Sequence, residues 1–534
     1  MSAGSGSARY FAAWVAALSV MGSLGVGALV AWGPVLAILP AIGVGAVCLG
    51  VVFASRLPAW FLGLLWALLL FYAVLGKGAA NFNAGGFFIG EMVLAFGLLA
   101  AVFGGVAAAV PYRSWLIWGV VAFGAWGMFR TVPYIGTYGM DALRDAVTWG
   151  YGAFAILVAG ALARTGWMRR AIERYGKDLL WFPVTVPVIW ALATYAKGYL
   201  PLVPGSDVPL VIFKAGDAAF HLVGVAAFIL LGLHRPPTAM PAPQSGTPAP
   251  QSVNRVPQSG KRAWIVPGGW VWWCVWFVAF GIAGTASRAS IVAILAGGGI
   301  LLALRPSTRL WRPVLAMAVM AVAFVASGVR VQVRSGRYLS ASDMVANVRS
   351  VTGDDATGNR EATREWRLEW WRTIIGYTIH GQYFWTGKGY GINLARDDGF
   401  VVGNRDRPLR SPHNGHLTIL ARSGVPGEAL WLLLQGGFAL ALLRGYRRAV
   451  RSSRDWWARV NLWVLAYWAT FMVNAAFDVS LEGPQGGIAF WSLFGFGIAA
   501  LSAQRAEAVL TRRRQAAPLA ALRMAPVGPT RAAV

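Results

Sequence analysis

Residues 59–75 read AWFLGLLWALLLFYAVL, an apolar run without a charge or a proline, with Arg56 before it and Lys77 after it. A helix of that length and composition matches the hydrocarbon thickness of a bilayer. The pattern recurs along the chain, and polar residues fall in short gaps between such runs. Of 534 residues, 57% are hydrophobic and 13% charged, with a mean hydropathy of +0.56. A soluble domain needs a polar surface and carries roughly a quarter charged residues. The sequence therefore predicts an all-α polytopic membrane protein with about fourteen transmembrane helices, within a range of about 12–14, and one large external loop containing interfacial helices.

Spans are predicted near residues 11–31, 35–54, 59–75, 87–110, 114–129, 147–163, 180–196 and 208–233, then 264–283, 286–304, 312–329, 415–443, 456–477 and 486–504. The Gly/Ser-rich residues 1–10 run into an apolar stretch without a small-residue cleavage site, so a retained first span is expected. Cys48 and Cys274 both lie inside apolar runs and are expected as packed free thiols.

Lys and Arg set the orientation. Alternate gaps carry Arg56; Arg113; Arg164, Arg169, Arg170, Arg174 and Lys177; Arg235, Lys261 and Arg262; Arg305, Arg309 and Arg312; the basic stretch 444–459; and Arg512, Arg513 and Arg514. With an even number of spans both termini are cytoplasmic. The net charge of +26 then belongs to loops facing anionic lipid, and no nucleic-acid partner is expected. The domains follow: an N-terminal transmembrane bundle at 1–233, a Pro/Gln/Ser/Ala-rich cytoplasmic linker at 234–263, further transmembrane helices at 264–330, a large external loop at 331–412, C-terminal transmembrane helices at 413–505, and a cytoplasmic tail at 506–534.

The 331–412 loop is unusual for a solvated connection. It holds Trp366, Trp370, Trp371, Tyr383, Trp385 and Tyr390 among Arg360, Arg364, Arg367 and Arg372. Residues 361–379 have helical composition, with Trp366, Trp370 and Ile374 at a spacing of four. That stripe predicts a helix on or near the outer leaflet, either a plain interfacial anchor or part of a site.

Three segments then suggest a family. Arg367-Leu368-Glu369-Trp370-Trp371-Arg372 is followed by Thr386-Gly387-Lys388-Gly389-Tyr390-Gly391. Next come Ser411-Pro412-His413-Asn414-Gly415-His416-Leu417 and Arg422-Ser423-Gly424-Val425-Pro426-Gly427. With Ser287-Arg288 opening an earlier span, residues 263–503 resemble the O-antigen ligase and Wzy-type polysaccharide polymerase superfamily. The resemblance implies a glycosyltransferase of the bacterial plasma membrane that serves surface-polysaccharide assembly. It implies an undecaprenyl-diphosphate-linked glycan as donor, and a glycan, lipid or protein hydroxyl as acceptor. Ligase and polymerase both remain open, because the two expel the same lipid diphosphate.

A leaving diphosphate gains charge in the transition state and needs fixed cations, for which arginine has the forked geometry. Arg288 and Arg367 are the candidates. Arg364, Arg372 and Arg422 are expected to bind substrate with Asn414, or in part to bind lipid. His413 is the candidate base, since imidazole titrates near neutrality; alternatively His413 and Asn414 simply cap the next helix. A metal at His413 and His416 lacks a completing carboxylate or thiolate, so neither metal nor cofactor is expected. Gly387, Gly389 and Gly391 fit either a phosphate-approaching loop or a turn. The chain has no Asp-x-Asp, which argues against a nucleotide-sugar enzyme with a carboxylate-bound metal. A transporter is the rival from another class, kept open by Asp217 and Asp478 near predicted membrane ends.

Overall fold

A computed structural model describes residues 38–84, 87–235, 267–305, 311–334, 337–340, 358–401 and 410–523. The predicted span at 11–31 and most of the 234–263 linker lie outside these residues. Apolar runs fold as helices because a segment in lipid must satisfy its own backbone donors and acceptors. The first half comprises α1 (Ile38–Leu75), a hairpin of β1 (Asn83–Ala84) and β2 (Phe87–Phe88), α2 (Ile89–Phe103), α3 (Val106–Ala109), α4 (Trp115–Tyr138), α5 (Met140–Asp145), α6 (Val147–Gly150), α7 (Gly152–Thr165), α8 (Met168–Asp178), α9 (Phe182–Tyr195) and α10 (Ala215–Leu230). The second half comprises α11 (Trp270–Ala286), α12 (Arg288–Leu304), α13 (Trp311–Ser327), β3 (Val331–Arg334), β4 (Arg337–Leu339), α14 (Gly358–Ile379), α15 (Leu394–Asp397), α16 (Gly415–Arg451), α17 (Asp455–Ala475) and α18 (Pro484–Arg523).

Several helix ends differ from the predicted spans. The predicted spans at 35–54 and 59–75 are one helix, α1, with Pro58 inside it. The fifth predicted span, 114–129, continues to Tyr138 in α4. Four described helices are long and apolar enough to cross a bilayer: Phe53–Leu75 within α1, Trp115–Tyr138, Gly415–Arg451 and Pro484–Arg513. Two bent pairs raise this to six, with breaks of 44° between α5–α6 and α7 and of 50° between α8 and α9. Five further apolar helices have 10–17 residues. At 1.5 Å per residue, such helices reach at most about 25 Å, short of a hydrocarbon core of about 30 Å. Among the described residues, four to six helices are thus long and apolar enough for full-length spans, and other apolar runs fold as shorter helices.

Some of these helices lie in the core of the protein. α10 is buried from Ala215 to Ile229, and α17 is buried at most positions from Trp457 to Ala475. A helix buried on every side packs against protein and not lipid. Close approach depends on small residues: a Cβ on Gly297 of α12 would lie 2.4 Å from Thr470 Oγ1 of α17.

Within the 331–412 segment, β3 and β4 pair antiparallel, with Val331 opposite Leu339. α14 confirms the helix expected at 361–379, but its aromatic stripe is used inside the protein. Trp370 and Ile374 are fully buried with Leu394, Ala395, Leu420 and Ala421, and Trp366 packs against them. Trp370 Nε1 donates to Asp398 Oδ2 at 2.6 Å. The stripe thus joins α14 to α15 and the first turns of α16.

Candidate functional site

Six segments distant in sequence bring charged and titratable groups together. Ser287 alone separates α11 from α12, so Arg288 is the first residue of α12, where helix N–H groups already favour anions. Arg367 projects from α14, half-buried. Its NH1 donates to the Phe477 carbonyl at 3.5 Å, and its buried Nε makes no hydrogen bond among the described residues. Burial lowers the Arg367 pKa, Asp478 opposes that shift and Arg288 adds to it. Arg288 and Asp478 are therefore both within electrostatic reach of Arg367.

Lys214, just before α10, pairs with Asp478 Oδ2 at 3.0 Å and Asp217 Oδ1 at 3.6 Å. Burial works against its charge, yet the two carboxylates outweigh that penalty and raise its pKa. Asp478 follows α17, and its Oδ1 accepts from the Val479 amide at 2.7 Å.

His413 occupies the turn that leads into α16, with φ at +53°. This left-handed conformation costs a non-glycine residue about 1–2 kcal/mol. The ring is partly buried. Burial depresses its pKa most, Arg367 lowers it further, Asp478 raises it, and Lys214 and Lys77 again lower it. His413 is thereby held neutral, with a nitrogen lone pair free to accept a proton. Arg367 thus lies within electrostatic reach of Arg288, Asp478 and His413, and His413 also within reach of Lys77, Lys214 and Asp478. Sequence reasoning missed Lys77 and Lys214, and treated Asp478 only as a transporter clue. A lysine opening an apolar run, with an aspartate three residues on, was the available signal for Lys214.

The remaining candidates are placed differently. Asn414 is the N-cap of α16: its Oδ1 accepts from the amides of His416 at 3.1 Å and Leu417 at 3.2 Å. That duty falls on Asn414 and leaves the His413 ring out of the cap. His416 Nε2 lies 3.0 Å from the Met472 carbonyl, and its Nδ1 accepts from Trp431 Nε1 at 3.0 Å. Both its nitrogens are engaged within the protein, which leaves no metal pair with His413. Arg364 and Arg372 are exposed on α14 and make no hydrogen bond or ion pair among the described residues.

Arg422 is buried at 2% exposure. Its NH1 donates to the carbonyls of Gly389 and Ile392 and pairs with Asp145 Oδ2 at 2.9 Å. Arg410 adds pairs to Asp141 and Asp145. These partners tie the 386–392 turn to α5.

That turn closes a break in α16. Gly424 has φ +69° and ψ −174° inside the helix. The backbone groups freed there are taken up by the turn: Lys388 N donates to Ala421 O at 2.7 Å, Gly389 N to Arg422 O at 3.0 Å, and Val425 N to Phe384 O at 2.8 Å. Gly387 is needed for contact, because a Cβ there would lie 2.4 Å from the Arg422 carbonyl carbon. Lys388 pairs with Asp397 and Asp398. The glycine-rich segment thus acts as a turn that clasps the broken helix.

No curated protein matches the chain. Residues 273–432 match the family model described as O-antigen ligase, a narrower stretch than the 263–503 resemblance and one that excludes Lys77, Lys214 and Asp478. It includes Arg288, Arg367, His413 and the helix break, and over those residues the chain is similar to the O-antigen ligase family.

Proposed function

We propose that the protein is a membrane glycosyltransferase of the O-antigen ligase type. It moves a glycan from an undecaprenyl-diphosphate carrier to an acceptor hydroxyl at the outer face of the plasma membrane. The observation that carries this reading is the convergence of Arg288, Arg367 and His413 from three separate elements. The acceptor oxygen attacks the anomeric carbon as its proton passes to the neutral His413 ring. The bond from that carbon to the diphosphate oxygen breaks, and the lipid diphosphate leaves with the bonding electrons. Arg288 and Arg367 meet the growing negative charge. His413 then returns its proton to solvent.

In a protein interior such fixed donors require no reorganisation when charge develops. Permanently charged guanidinium groups supply what a divalent ion supplies elsewhere. Purified protein given a lipid-diphosphate-linked glycan and an acceptor is expected to turn over in excess EDTA. Activity that disappears with chelator and returns with added metal would overturn the arginine scheme.

A further inference from the structure

The end of α16 remote from His413 carries a second concentration of positive charge. Between the last turns of α16, the start of α4 and the later turns of α18 lies a cavity of about 690 Å³. Arg444, Arg448, Arg451, Arg454, Arg505 and Arg512 line it, and no acidic residue does. Arg454 NH1 donates to the Gln504 carbonyl at 3.3 Å. The other five guanidinium groups have no hydrogen bond or ion pair among the described residues. The nearby acids are already engaged: Asp455 with Arg305 and Arg459, and Glu507 with Trp457 Nε1. Residues 1–10, 236–263, 306–310 and 524–534, which are also predicted at this face, contain no Asp or Glu. Among the described residues, no acidic side chain lines this cavity to balance its arginines.

Shape and lining narrow the ligand. The lining residue Gln504 is held in place: its Oε1 accepts from Asn461 Nδ2 at 2.8 Å, and its Nε2 donates to the Gly445 carbonyl at 2.9 Å. One wall is apolar, with Trp115, Leu440 and Leu501. The Trp115 ring rests on Gly437, where a Cβ would come within 1.9 Å of it. An occupant must offer several anionic oxygens to the arginines and hydrocarbon to that wall. A phosphodiester carries one negative charge, so five arginines without a counter-charge in the lining favour an occupant with more than one.

We propose that this cavity binds an anionic lipid with two phosphodiester groups, such as diphosphatidylglycerol, at the membrane face opposite the His413 cluster. The site is separate from the transfer chemistry and does not depend on it.

Native mass spectrometry of the full-length protein in detergent tests this directly. Diphosphatidylglycerol, phosphatidylglycerol and phosphatidylcholine are offered in turn, with inorganic pyrophosphate as competitor. Retention of diphosphatidylglycerol is expected to exceed that of phosphatidylcholine by at least about tenfold. The Arg444→Gln, Arg448→Gln, Arg451→Gln triple variant should lose on the order of a hundredfold, at about fivefold per arginine. If that variant does not accumulate, Arg451→Gln alone should lose about fivefold. Arg169→Gln, at another basic surface, should bind like wild type. Equal retention by wild type and the cavity variant would overturn the proposal. Displacement of the lipid by equimolar pyrophosphate would also overturn it, assigning the cavity to a soluble anion.

Discussion

His413 depends on its neighbours for its protonation state. An imidazole ordinarily titrates near about 6.5, and here burial and then Arg367 move it lower. A base must be unprotonated to act, so kcat/KM should fall only at pH values below that ordinary range. The sign of each neighbour gives a sharper check. Lys214 lowers the His413 pKa and Asp478 raises it. In Lys214→Gln the acid limb of the profile should therefore move to higher pH, and in Asp478→Asn to lower pH. Two unmoved limbs would separate these residues from His413. His413→Asn should reduce turnover by roughly 10²–10⁴-fold at normal protein level, since the cap belongs to Asn414. Arg288, Arg367 and His413 stood out in the sequence through the order of their motifs and the family resemblance those motifs carry. Lys214 was hidden because one lysine at the edge of an apolar run looks like a span boundary. Only folding brings Asp478 to it across the length of two domains.

At the scale of elements, the 422–427 segment shows how a local signal can be read while its partner is not. Gly424 and Pro426 announce an interruption, but nothing in sequence says what receives the freed carbonyls. The 384–389 turn receives them. Gly424 occupies a backbone region open almost only to glycine, and a Cβ there would meet the Phe384 carbonyl oxygen at 2.6 Å. Gly424→Ala should cost on the order of 1–3 kcal/mol and lower the unfolding temperature in detergent. An unchanged melting curve would mean the break does not constrain the turn. The stripe on α14 is a parallel case. Its spacing of four fixes one apolar face, but periodicity alone does not distinguish lipid from a protein partner. Trp370, fully buried with its indole N–H on Asp398, settles the matter in favour of protein.

For the whole molecule, composition made the helical membrane character plain, whereas counting spans was harder. Hydropathy measures how apolar a run is and not whether it faces lipid. The buried α10 and α17 therefore read much like lipid-facing spans. The basic gaps predict that α14 and the end of α18 lie on opposite sides. In a Cys48→Ser, Cys274→Ser background, cysteines at Thr373 and Thr511 should react with an impermeant thiol reagent from opposite faces of the membrane. Labelling of both from one face would overturn the orientation. The central claim is that Arg288 and Arg367 act together on a leaving diphosphate. It is tested most directly by glycan transfer from a lipid-diphosphate donor in liposomes, comparing Arg288→Lys, Arg367→Lys and the double variant with wild type at matched protein level. An ammonium keeps the charge and loses the fork, so each single change should slow turnover about a hundredfold, or roughly 3 kcal/mol. The double variant should lose less than the product, because both groups act on one charge. Near-wild-type turnover in both single variants would contradict the account.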